Sequence, residues 1–141
     1  MLNSTKNKMY KMNCILLVDE YISNTFLVYK LLRKLNLSST IHIERGSTNA
    51  FDFVQEYAKT NNNSCPELII INNKIIHLDG YLFLDFMRGK NFANKDKVKV
   101  LVTGNLTENP DYKEITIVPD PVTQLSLLKA IENLGLKTFA A

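Results

Sequence analysis

Only two cysteines, Cys14 and Cys65, occur in 141 residues. One disulfide is the most they could form, and their spacing is no metal-ligand pattern. Both lie beside apolar, strand-like segments, a setting that suits small buried thiols. Charge of one sign is scarce as well: seventeen Lys and Arg stand against fourteen Asp and Glu, a net +3. The longest basic run, Lys95, Lys97 and Lys99, has Asp96 inside it. Such a run reads as solvated surface, so nucleic-acid binding is not expected. No stretch approaches the ~18 apolar residues of a membrane span. The lysines near the N-terminus (Lys6, Lys8, Lys11) are followed by no apolar run of signal-peptide length. Internal repeats are missing too, and the tract Asn61, Asn62, Asn63 reads as a loop. These absences point to a soluble cytoplasmic chain with no membrane partner.

What is present is one domain's worth of apolar mass. The chain is 45% hydrophobic and 22% charged, enough to offset the entropy of ordering. Short apolar runs occur at residues 14–18 (CILLV), 68–71 (LIII), 98–102 (VKVLV) and Ile115–Val118 (ITIV), and residues 40–44 (TIHIE) alternate with period two. Runs rich in Ile and Val and apolar on both faces are what a parallel sheet covered by helices needs. Helical spacing fills the intervals. In Ile22–Leu35 the leucines Leu27, Leu31 and Leu35 recur every fourth residue, with Lys30, Arg33 and Lys34 facing out. Residues 47–59 start at a plausible cap, Ser47, and place Ala50, Phe53, Val54 and Tyr57 on one face. Residues 81–88 carry Leu82, Phe83, Phe86 and Met87; residues 123–134 start at a capping Thr123 and stop before Gly135. Residues 106–114 (LTENPDYKE) hold Pro110 and room for one or two helical turns at most. The alternation predicts a doubly wound α/β fold with five parallel strands and functional residues at their carboxyl ends; given the strand order 2-1-3-4-5, strands one, three, four and five converge on one crevice.

Strand one ends in Asp19 and Glu20, strand three in Asn72, strand four in Thr103, and strand five in Asp120 followed by Pro121. Adjacent carboxylates at a strand end are the start of a site for a hard cation. The bland alternative for Asp19 is that it caps the helix beginning near Ile22.

The runs ILLVDEYISNTFLVYKLLRKL, CPELIIINNKIIHLDGYLFLDFMR, KVLVTGN and ITIVPDPVTQLSLLKAIENL resemble the receiver domain of bacterial two-component response regulators. The resemblance covers about residues 12–134, and its most specific part runs without gaps from Pro66 to the Leu78-Asp79-Gly80 turn. It implies a flavodoxin-like receiver fold with a shortened fourth helix, a single stand-alone domain (core about 12–135) and no output domain. It also implies a phosphorylation switch. In that family an acidic pair holds Mg²⁺, an Asp ending strand three accepts a phosphoryl group, a Lys ending strand five pairs with it, and a Thr or Ser ending strand four hydrogen-bonds it.

By that resemblance Asp19 and Glu20 match the metal-binding pair and Thr103 matches the switch Thr. The acceptor position holds Asn72, a neutral carboxamide that cannot form the acyl phosphate. The Lys position holds Asp120, which reverses the charge. Ile117 stands where an aromatic residue commonly reports the switch, Gly104 replaces a small Ala, and Ile76 replaces a loop proline. Three lesions in one pocket point to a degenerate receiver that works by protein–protein contact, with a histidine kinase, another regulator or itself as partner. No cofactor is required, and Mg²⁺ binding is weakened. The acids Asp19, Glu20 and, if it points inward, Asp120 would then need a cation, protonation or separation by solvent. Lys74 is the expected internal cation, folded over Asp19 or Glu20 in place of the metal. The Asp120-Pro121 bond is expected cis.

Other readings stay open beside this one. Asp79 would be the acceptor of a receiver with a displaced site. A Mg-dependent phosphatase of the dehalogenase type would want a second Asp where Tyr21 stands, and a flavodoxin-type site would want a Ser/Thr-rich loop in place of DEYISN. His42 reads as a surface or packed imidazole, and His77 lies in the loop over the site. Apolar exposure around Ile117, Val118 and residues 106–114 would mark a flank for partner contacts.

Overall fold

A computed structural model describes residues 11–76, 81–105 and 115–134. Five strands, β1 (Ile15–Val18), β2 (Ile41–Glu44), β3 (Leu68–Asn72), β4 (Lys99–Thr103) and β5 (Ile115–Val118), form one parallel sheet. Their order is β2-β1-β3-β4-β5, as expected. The helices are α1 (Ile22–Leu35), α2 (Ser47–Thr60), the single turn α3 (Asn73–Ile75), α4 (Tyr81–Gly89) and α5 (Gln124–Asn133).

Side chains alternate across each strand, so one sheet feeds two cores. Leu16, Val18, Ile69, Ile71, Val100 and Val102 pack against Ala50 and Val54 of α2 and Phe83, Leu84 and Met87 of α4. On the other face, Ile15, Leu17, Leu68, Ile70 and Leu101 meet Val28, Leu32 and Leu35 of α1 and Leu127 and Ile131 of α5. All four residues of β1 and all five of β3 are buried, and all of them but the last, Asn72, are Ile, Leu or Val. Cys14 and Cys65 are free, buried thiols; burial pushes both up to about 12, out of reach of ordinary thiolate chemistry.

The caps divide by residue type. Thr123 accepts from the Ser126 N–H at 3.0 Å while the Ser126 hydroxyl accepts from the Thr123 N–H at 2.9 Å, a reciprocal box that starts α5. Asn36 ends α1 in the left-handed region at φ 55. Ser47 does not cap α2. It is the buried first residue of the helix, Gly46 holds the N-cap position in extended backbone, and no side chain caps that end. Two strands also run one residue further than their apolar patterns, and the extra residues are Asn72 and Thr103. Both are polar, but they are paired in register, and the ladder holds them in the sheet. The expected short helix over residues 106–114 and the residues His77, Asp79 and Gly135 fall outside the described residues. No helix among the described residues is long and apolar enough to cross a membrane.

Candidate functional site

Parallel strands deliver their carboxyl ends to one edge of the sheet, and the crevice there is built from β1, β4 and the loop after β5. A cavity of about 460 Å³ is lined by Asp19, Asn24, Leu27, Thr103, Asp120 and Pro121, among others. Three of the residues expected at the site therefore share one cavity, and the Asp120-Pro121 bond beside it is cis.

Asp19 is 3% exposed. Its Oδ1 accepts the Tyr21 N–H at 2.9 Å, and its own N–H donates to the Glu44 carbonyl at 3.0 Å. The side chain thus does organise the entry to α1, although Tyr21 occupies the N-cap position. Burial raises the Asp19 carboxyl above the usual carboxylate value. The Tyr21 N–H acts against that shift, the Glu20 and Asp120 charges add to it, and Lys74 offsets it least. Glu20 and Asp120 are exposed. Solvent therefore separates two of the three acids, and the third carries a raised proton affinity.

Asn72 spends its amide on its neighbours. The oxygen accepts the Lys74 N–H at 2.9 Å, capping α3, and Nδ2 donates to Thr103 Oγ1 at 3.4 Å. The two side chains face each other because β3 and β4 are in register there. A carboxylate at position 72 could also accept the Lys74 N–H, but its bond with Thr103 would run the other way, from the Thr103 hydroxyl to the carboxylate.

Lys74 does not fold over the acids. Its Nζ lies 3.4 Å from Tyr21 Oη and 4.8 Å from the centre of the Tyr21 ring. The ion pairs within 4 Å among the described residues, His42–Glu44 and Lys59–Glu56, leave it out. The physical reason is the exposed aromatic face of Tyr21, which offers a cation a seat that needs no desolvation of a buried carboxylate. His42 is packed as expected, stacked 3.7 Å from Phe53. Of the pair on the β5 flank, Val118 is buried and only Ile117 is exposed.

Sequence reading missed the Asn73–Gly104 contact. Gly104 has φ +91, and a Cβ there would stand 2.6 Å from Asn73 Cγ. Asn73 also donates to the Asn105 carbonyl at 2.8 Å, fastening the end of β3 to the loop after β4. The signal was the paired amides Asn72-Asn73 together with Gly in place of Ala.

For Mg²⁺ the cavity offers the carboxylates of Asp19 and Asp120 but not that of Glu20. That ion wants near-octahedral oxygen ligands, usually with carboxylates among them. Here one Asp19 oxygen and the Asn72 oxygen are already hydrogen-bonded, Glu20 does not line the cavity, and no three His, Cys, Asp or Glu among the described residues cluster as metal ligands.

Solved structures decide the fold. The bacteriophytochrome response regulator RtBRR superposes with a TM-score of 0.70 at 20% identity, over 89% of this chain and 79% of that one. The chemotaxis response regulator CheY4 of Vibrio cholerae matches with a TM-score of 0.66 at 17% identity, over 88% of this chain and 99% of that one. The chain has the response-regulator receiver fold. A third receiver, from the Saccharomyces cerevisiae response regulator Ssk1, was solved together with the histidine phosphotransfer protein Ypd1; it gives a TM-score of 0.64 at 17% identity, with 90% of each chain covered. No family model and no curated protein matches the sequence. Within the receiver fold, Asn72 and Thr103 at the ends of β3 and β4 bond to each other, and Asp19 bonds to the Tyr21 N–H.

Proposed function

We propose that this receiver-fold protein acts in two-component signalling as a docking module that is not phosphorylated on Asp, and that it is not an enzyme. The observation that carries the reading is Asn72. A carboxamide stands at the acceptor position with both of its polar atoms engaged, by the Lys74 N–H and by Thr103. Asp120 supports it, because a carboxylate at the Lys position would repel an incoming phosphoryl group. Its partner is a protein of the phosphorelay, a histidine kinase, another regulator or a second copy. The receiver of Ssk1 with its phosphotransfer partner shows the kind of contact meant.

Incubation with acetyl phosphate and Mg²⁺, followed by intact mass measurement, tests the reading. The protein is expected to stay unmodified. A base-labile adduct of one phosphoryl group would contradict it, and an adduct mapped to Asp79 would establish the displaced-acceptor alternative.

A further inference from the structure

The outer surface of α1 has two unlike halves. Its first turns expose Ile22 at 65%, Phe26 at 61% and Leu27 at 43%. Its last turns expose Lys30, Arg33 and Lys34, and the helix contains no acid. Just before the apolar half stands exposed Glu20, with exposed Asp120 on the same edge of the sheet. Acid, apolar centre and base therefore follow one another along the helix. Lys30 joins the halves, its Nζ 5.2 Å from the centre of the Phe26 ring. Lys34 reaches Gln124 at 3.4 Å, which ties the first turn of α5, with Leu125 exposed at 60%, to the same surface.

We propose that two copies of the chain pair through α1, the helices antiparallel about a two-fold axis near Phe26. A surface ordered acid–apolar–base is complementary to itself after a half-turn, as an isologous interface must be. A residue as far before Phe26 as Glu20 falls opposite the turn carrying Lys30, Arg33 and Lys34 of the second copy. The two Phe26 rings meet at the axis, and the helix dipoles run in opposite senses. An anionic membrane would fit the cations but meet Glu20 and Asp120 with like charge, so a second copy suits the whole surface better. One helix pair with its α5 flank makes a small interface, and the dimer is expected to be weak, with a dissociation constant on the order of 100 μM. The inference deepens the docking reading by naming the partner and rests on it. Its test reads oligomeric state alone, whereas the reading itself stands or falls on phosphotransfer.

Sedimentation equilibrium of the full chain from about 10 μM to about 1 mM brackets that value. The mass is expected to rise from 16.1 kDa toward twice that value. Phe26→Ser, an exposed position that leaves both cores intact, is expected to weaken association at least ~10-fold. Glu20→Lys and the triple change Lys30→Glu, Arg33→Glu, Lys34→Glu should each weaken self-association and, when mixed, pair with each other, the more so at low salt. A mass fixed at 16.1 kDa throughout, association undiminished by Phe26→Ser, or charge variants that do not pair on mixing would each overturn the proposal.

Discussion

Asp19 carries a carboxyl whose folded-state pKa is raised by burial, which means that the native state binds its proton more tightly than the unfolded chain does. The charged form therefore costs stability above the folded-state pKa. That cost fades as pH falls toward the ordinary carboxylate value. Asp19→Asn removes the charge and keeps an oxygen for the Tyr21 N–H. It is expected to stabilise the fold at neutral pH by on the order of 1 kcal/mol, with the gain shrinking to nothing in acid. Urea denaturation at several pH values measures this, and a gain that ignores pH would contradict the assignment. Gly104 is held by geometry of another kind. Any side chain there must adopt φ +91 and collide with Asn73. Gly104→Ala is expected to cost about 2 kcal/mol, and adding Asn73→Ala to recover only the part due to overlap, since the backbone strain remains. Equal stability of the single and double variants would show that the Asn73 contact carries none of the cost.

The elements draw their stability from unequal sources. Helix α1 has no side-chain cap and holds on through Val28, Leu32 and Leu35, whereas α5 adds the Thr123–Ser126 box to its buried face. Leu32 is completely buried against the sheet, so Leu32→Ala should cost about 2–5 kcal/mol and Thr123→Ala about 1 kcal/mol. Thermal or urea unfolding ranks the two, and a larger loss at Thr123 would reverse this account of the helices. Elements were legible in the sequence where periodicity and burial coincide. Ile22–Leu35 and Ile115–Val118 have the bounds that their patterns predict. Ser47 was misread because a polar residue before an apolar stripe looks like a cap even where Gly46 takes that place. Asn72 and Thr103 end β3 and β4 as the sequence places them, although each apolar run stops one residue earlier.

At the scale of the molecule, alternating runs of strand and helix spacing were sufficient for the doubly wound α/β class, because fully buried parallel strands leave so plain an apolar signature; the strand order came from the fold type and not from the runs. The crevice was legible in identity but not in contact. Asp19, Thr103 and Asp120 gather as their strand positions require, while the Lys74 amine goes to Tyr21, a choice between an aromatic face and a partly desolvated acid that spacing cannot make. What results is a receiver-fold chain in which these crevice side chains have internal partners: Asp19 in Tyr21, Asn72 in Lys74 and Thr103, and Asn73 in Asn105. The most direct measurement of that state is a Mg²⁺ titration followed by ¹⁵N–¹H NMR. With those side chains partnered, the amides of Asp19, Glu20, Asn72 and Thr103 should show no saturable shift up to about 10 mM ion. Saturable shifts centred on those four residues would contradict the account.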